Sequence, residues 1–134
     1  MTVLADTSIW VDYLRSGTRS PTGAQLDTLL AARQLAMCGP VAAELLAGAP
    51  ESSTEELWSL LRSLAWIHIG VADWHTVGAV AGRLRRAGTP VPLTDLVIAA
   101  AAVSAGAALW SHDSDFLRIA TAMPELSPHS PPTT

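Results

Sequence analysis

A three-residue apolar run, Val3-Leu4-Ala5, breaks at Asp6, and apolar residues then recur at helical spacing as Ile9, Trp10, Tyr13 and Leu14. A period that changes from strand to helix across Asp6-Thr7-Ser8 places a turn there, with Asp6 at the strand's carboxyl end. The same change recurs along the chain. Leu35-Ala36-Met37-Cys38, Ala65-Trp66-Ile67-His68-Ile69 and Ala107-Ala108-Leu109-Trp110 each read as a short buried strand between helical stretches, and a brief fifth strand could form near Leu126. Strands that alternate with helices need crossover connections, which are right-handed and leave the strands parallel. The expected fold is therefore α/β, three-layered α/β/α, with a mainly parallel central sheet of four to five strands. In such a sheet every strand ends, and every crossover helix is expected to begin, on one edge, and that edge is where ligands bind.

The helices between the strands carry their own punctuation. Ser16 to Pro21 is a loop, Leu26, Leu29, Leu30 and Arg33 mark a helix, and Gly39-Pro40 opens the next, over about 41–47. Glu51-Ser52-Ser53-Thr54 starts a helix whose Leu57, Leu60, Leu61 and Leu64 fall on one stripe. Asp73 is the expected N-cap of a long helix that Gly88 ends. Leu96 to Val103 is too long and too apolar for a strand and reads as a helix buried on most sides, capped by Gly106. Only a short amphipathic turn is expected around Leu117 and Ile119. A single domain over 1–127 follows, with a proline-rich tail, 128–134, expected to fray.

Several function classes fall away on composition. All eight basic residues are arginine, so lysine-dependent chemistry, including Walker-type NTPases and Schiff-base enzymes, is absent. A net charge of −4 argues against non-specific binding to nucleic acid, although local arginine clusters can still hold phosphate. The one cysteine, Cys38, can form no internal disulfide. With no basic segment at Met1-Thr2-Val3 and no apolar run long enough for a membrane span, a cytoplasmic protein is expected.

The carboxylates then sort by the edge they occupy. Asp6 ends the first strand and Asp113 follows the fourth; Glu44 lies about one turn into the helix after the second, and Asp95 opens the apolar helix that feeds the fourth. Asp115 is close by. Each has a plainer alternative: Asp6 and Asp95 as helix N-caps, Asp113 or Asp115 as an Asx turn. Glu44 is harder to explain that way, because it is the only charge between Leu35 and Pro50. Carboxylates gathered in a partly desolvated pocket stay ionised together only when a cation compensates them. Hard oxygen donors without a His or Cys set select Mg²⁺ or Mn²⁺, and such a centre suits phosphodiester hydrolysis.

The segments Leu4-Ala5-Asp6-Thr7-Ser8-Ile9-Trp10, Ala43-Glu44-Leu45-Leu46-Ala47-Gly48, Thr94-Asp95-Leu96-Val97-Ile98-Ala99-Ala100 and Ser111-His112-Asp113-Ser114-Asp115-Phe116 resemble, in order, the four acidic motifs of PIN-domain ribonucleases, in particular the VapC toxins of toxin–antitoxin pairs. The resemblance implies that Asp6, Glu44, Asp95 and Asp113 are metal-binding catalytic acids. It gives Asp115 a supporting place and makes Thr7 and Ser8 hydroxyls that hold the pocket or its waters. It further implies Mg²⁺-dependent endonucleolytic cleavage of RNA, a homodimer, and inhibition by a VapB-type antitoxin whose tail occupies the groove. Arg15, Arg19, Arg83, Arg85 and Arg86 are candidates for phosphate contact, each with a merely solvated face as the alternative. Trp58, Trp66 and Trp74 are candidate anchors between subunits or with an antitoxin. Two other readings compete. A haloacid-dehalogenase-type phosphatase needs a second Asp where this chain has Ser8, and a lysine. A PIN-like module that binds RNA or protein without cutting has no reason to gather repelling carboxylates.

Overall fold

The computed structural model describes residues 1–130. It contains four strands, β1 (Val3–Ala5), β2 (Leu35–Cys38), β3 (Ala65–Ile67) and β4 (Ala108–Trp110), and the helices α1 (Thr7–Ser16), α2 (Pro21–Ala31), α3 (Gly39–Gly48), α4 (Thr54–Arg62), α5 (Val71–Arg86), α6 (Leu93–Ala105) and α7 (Asp115–Ala122). Short 3₁₀ turns occupy Gly17–Arg19 and Glu51–Ser53. All strand pairs are parallel, in the order β3-β2-β1-β4. The chain thus builds outward from β1 to β3 and then returns across the sheet to lay β4 on β1's other side. That reversal puts a topological switch point between the carboxyl ends of β1 and β4, the position at which open α/β sheets form clefts.

The sheet is apolar because it is covered on both faces, with α1 to α4 packing together and α5 to α7 packing together. Val3, Leu4 and Ala5 are fully buried, and α6 is buried at every position from Leu96 to Ala102, as its continuous apolar run requires. Gly106 closes α6 in the left-handed region at φ 65°, where a side chain would be strained.

Some boundaries differ from expectation, each for a local reason. β3 stops at Ile67, not Ile69, because its partner runs out: Cys38 pairs with Ile67 and is the last residue of β2 before α3 begins. Asp73 is not the N-cap of α5. It is the third residue in, and its carboxylate accepts the backbone N–H of the true N-cap, Gly70, at 2.8 Å. Asp73 also accepts from Ser104, near the end of α6, at 3.4 Å. The two helices are therefore antiparallel, and α5 does not share the direction expected of every crossover helix.

The stretch around Leu117 and Ile119 is a full helix, α7, whose buried side is Phe116 and Ile119, while Leu117 is 74% exposed. The fifth strand is reduced to one bridge, between Leu109 and Pro128. Leu109 donates to Ser127 O at 2.8 Å and accepts from His129 N–H at 2.7 Å, whereas Pro128 has no N–H to extend a ladder. The tail expected to fray from 128 is thus held to β4 through His129. Its positions 131–134 lie outside the described residues.

Candidate active site

Asp6 is the first residue beyond β1, and at 5% exposure it is the one buried polar or charged residue among those described. As the residue before α1 it is placed to cap, yet its side chain makes no capping bond. Its Oδ2 instead accepts two hydroxyls, from Ser111 at 2.7 Å and from Ser8 at 3.2 Å. Both serines receive a backbone donor in turn: Ser111 Oγ accepts Asp113 N–H at 2.9 Å, and Ser8 Oγ accepts His112 N–H at 3.0 Å. A buried carboxylate needs such donors to remain charged, and these two lock the end of β1 to the loop that follows β4.

Glu44 lies in α3, whose first turn is set by Gly39-Pro40, and its Oε1 accepts the Thr7 hydroxyl at 3.1 Å. Thr7 and Ser8 thus hold two different acids. Cys38, at the end of β2, reports the same crowding. Burial pushes its thiol up to about 11, with Asp6 and Glu44 adding to the effect.

Asp95 is in the first turn of α6, but the residue in the capping position is Pro92, and no side chain caps the helix. Desolvation pushes its carboxyl up to about 7, reinforced by the charges of Asp113, Asp6, Asp115 and Glu44 in that order. Acids from four distant segments thus lie near enough for their charges to act on Asp95, but the close cluster holds Asp95, Asp113 and Asp115 and not Asp6 or Glu44. Oxygens of Asp95, Asp113 and Asp115 lie within 4.8 Å of one another. Asp113 Oδ1 also accepts Asp115 N–H at 2.9 Å, so the Asx-turn reading of Asp113 holds alongside its place in the cluster.

Basic partners are scarce. Among the described residues the ion pairs are Arg118 with Asp115, at 2.6 Å, and His112 with Asp12, at 3.6 Å. Asp6, Glu44, Asp95 and Asp113 have none. An oxygen-only set of carboxylates in which Asp115 alone has a cationic partner, with Asp95 pushed up to about 7, is what a divalent ion would relieve, so these residues fit Mg²⁺ or Mn²⁺.

Among the candidate arginines, Arg15 lines a groove that begins at Glu44. Arg19, in the 3₁₀ turn, folds back onto the end of α1, donating to Ser16 O at 3.1 Å and Arg15 O at 3.5 Å. Arg83, Arg85 and Arg86 share the last turn of α5, and the antiparallel packing carries that end toward the start of α6, where Asp95 lies. The groove, about 820 Å³, runs between α1, α3 and α4, with Leu14, Leu45, Leu57 and Leu60 on its walls.

Two residues of the site escape a reading based on acids. Ser111 is the hydroxyl that joins Asp6 to the Asp113 backbone, and Arg118 holds Asp115. The i, i+3 spacing of Asp115 and Arg118 on a helix was a usable signal for the second. Nothing local distinguishes Ser111, whose partner lies 105 positions away.

The PIN domain family matches residues 3–122. The chain is similar to Ribonuclease VapC11 of Mycobacterium tuberculosis and to VapC ribonuclease Mb1587 of Mycobacterium bovis, each 37% identical over 119 residues that cover 85% of this chain and 88% of the relative. Its fold is similar to a chain of VapBC2 from Rickettsia felis bound to a DNA fragment from its promoter, with a TM-score of 0.73, 24% identity, and coverage of 96% of this chain and 98% of that one. Four acids in order on one sheet edge and a family match across nearly the whole length lead to one assignment: the chain belongs to the PIN-domain family, among its VapC-type members.

Proposed function

We propose that this protein is a metal-dependent endoribonuclease, the toxin component of a type II toxin–antitoxin pair, that hydrolyses RNA phosphodiester bonds at Asp6, Glu44, Asp95 and Asp113. The observation that carries the reading is that Asp6, Glu44, Asp95 and Asp113, near the β1–β4 switch point, have no basic partner among the described residues, while burial, reinforced by the neighbouring acids, pushes Asp95 up to about 7. Relatives named as ribonucleases support RNA as the substrate.

The four acids would hold Mg²⁺ or Mn²⁺. When bound, the ion supplies neutralising charge at the scissile phosphate and a water of lowered pKa. The protein's own part is positional. Ser8 and Ser111 fix the Asp6 carboxylate and Thr7 fixes Glu44, so two of the acids are held in orientation by the protein's own hydroxyls. Arg118 restrains Asp115, the supporting acid. Arg15, Arg83, Arg85 and Arg86 supply positive charge around the rim for the flanking phosphates. The α1–α3–α4 groove, apolar and ending at Glu44, would take the tail of a VapB-type antitoxin, which would thereby block the acids. A homodimer would use the exposed aromatic surface of Trp58 and Trp74, 41% and 52% exposed, with Trp66 packed edge-on against Trp58. No helix among the described residues is long and apolar enough to cross a membrane.

The deciding experiment incubates purified protein with matched RNA and DNA strands, with Mg²⁺ or Mn²⁺ and with excess chelator. RNA cleavage should require metal, spare DNA, and fall about 100-fold or more in Asp6→Asn or Asp95→Asn, a loss of ~3 kcal/mol in transition-state stabilisation. Cleavage that persists in chelator or in either variant rejects the proposal.

A further inference from the structure

Beside the acids, and not accounted for by them, a second cavity of about 300 Å³ opens between the end of β4, the 111–114 loop, α7 and the 126–129 segment. Its inner wall is apolar, with Leu109, Phe116 and Leu126, and Leu117 and Pro128 stand at its sides. Asp113 lines it too, so the cavity is continuous with the carboxylate cluster. Its other polar lining residues are Ser111, His112, Ser114 and His129.

The chemistry of this lining selects its occupant. None of the described lining residues is an arginine, and Asp113 stands at the junction with the cluster, so an anionic group such as phosphate is disfavoured. A flat, uncharged ring with hydrogen-bonding edges suits apolar walls and a polar margin, and the volume is at the small end of ligand sites. The histidine on that margin is held in place. His129 is pinned through its backbone N–H to Leu109 O at 2.7 Å, and its ring meets Trp110 edge-on with centroids 5.1 Å apart. Its Nε2 is buried, closed to solvent and without a hydrogen-bond partner among the described residues, so the ring offers an occupant of the cavity its aromatic surface and not a hydrogen bond at Nε2. Burial lowers the pKa of the imidazole, which keeps the ring neutral.

We propose that this cavity is a nucleobase subsite, taking one unstacked base of the ribonucleotide next to the scissile phosphodiester. The inference rests on the endoribonuclease reading of the adjoining acids and deepens it: the acids act on any phosphodiester, whereas a base pocket contiguous with Asp113 sets which nucleotide stands at the cut. Single-stranded RNA is read through splayed-out bases of this kind.

The test uses binding, so it does not depend on cleavage. The full chain, in chelator, is titrated with each of the four ribonucleosides, with ribose 5-phosphate and with N-acetyl-leucinamide, while NMR follows the Trp110 indole and His129 imidazole signals. At least one nucleoside should shift both signals saturably, with one base preferred, and ribose 5-phosphate should not. Ala120 also lines the cavity, and Ala120→Phe, which puts a ring into that space, should weaken the binding about ten-fold or more. Leu117→Asp alters a side chain that is 74% exposed, so it preserves the fold and should weaken binding likewise. Asp6→Asn should bind nucleosides as wild type does while losing RNA cleavage. Nucleoside binding by a protein that cuts no RNA would reject the nuclease reading and keep the pocket; cleavage by a protein whose signals no nucleoside shifts rejects the pocket alone. A response to N-acetyl-leucinamide and to no nucleoside would make the cavity a peptide pocket and overturn the proposal.

Discussion

Ser111 and Asp6, 105 positions apart, are joined by a hydrogen bond of 2.7 Å between the Ser111 hydroxyl and Asp6 Oδ2. The bond crosses the switch point from β4 to β1 and runs beside the backbone pairing of the two strands, in which Asp6 N–H donates to Trp110 O at 2.8 Å. Since Ser111 Oγ also accepts Asp113 N–H, one hydroxyl fixes the orientation of one acid and the backbone of another.

Replacing Ser111 should therefore cost both stability and activity. Ser111→Ala leaves a carboxylate that is 5% exposed with one hydroxyl donor instead of two, and a backbone N–H without its acceptor. A loss of about 1 to 3 kcal/mol is expected, seen as a melting temperature lower by several degrees. Ser111→Thr restores the hydroxyl and should recover most of it. Thermal melts of the three proteins, alongside their RNA cleavage rates, check the prediction; a threonine variant no better than alanine would mean that volume, not the hydroxyl, matters.

The tryptophans make a second prediction. Trp58 and Trp74 are large, half exposed, and on different helices of the same molecule, which is costly to leave in water. If they anchor the homodimer, Trp74→Ala or Trp58→Ala should shift the sedimentation of the purified protein toward monomer at micromolar concentration with little change in melting temperature. A dimer unaffected by either change would place the interface elsewhere.

How much of this was legible in the sequence depended on the range of the interactions. The strand–helix alternation and the placement of Asp6, Glu44, Asp95 and Asp113 on one edge could be read because a parallel sheet converts local punctuation into a global direction. Asp73 was misread because a carboxylate can serve a helix from the third position as well as from the cap, and the sequence does not say which. The end of β3 was set by the length of β2, a fact about the partner and not about Ile67 to Ile69 themselves. Ser111 stayed hidden because a serine after a strand is ordinary until its neighbour is known. The cavity beside Asp113 required the return of the 126–129 segment to β4; Leu126 suggested a brief strand there, but nothing local named β4 as its partner.

The elevated Asp95 carboxyl sets a pH dependence. It titrates near 7 in the folded, metal-free protein and near 4 in the unfolded chain. Between those values the folded state binds the extra proton, so stability is highest below about 4 and falls as pH rises to about 7, then levels off. Asp95 is only half-buried, so solvent trims the slope. Denaturant melts at closely spaced pH in chelator should show this decline, and Asp95→Asn should flatten it. A wild-type profile that rises through the same window would show that paired acids elsewhere dominate.

Divalent metal should reverse the penalty, and Asp113 offers the cleanest way to see it. Mg²⁺ or Mn²⁺ would bind the gathered acids of the native protein but not the dispersed acids of the unfolded chain, so near neutral pH it should raise the melting temperature by an amount that grows with concentration over Kd. Asp113→Asn removes one of the charges that crowd Asp95 yet keeps an oxygen able to accept Asp115 N–H, so the turn survives. Without metal this variant should be more stable than wild type, because repulsion is relieved; with millimolar Mn²⁺ it should gain less, because a ligand charge is gone. The two effects have opposite sign, so the melting curves of the two proteins should cross as metal is added. Were Asp113 only a turn residue, Asn would serve as well and both proteins would respond to metal alike. Parallel curves, with no crossing and no metal response in wild type, would separate Asp113 from any metal-binding role.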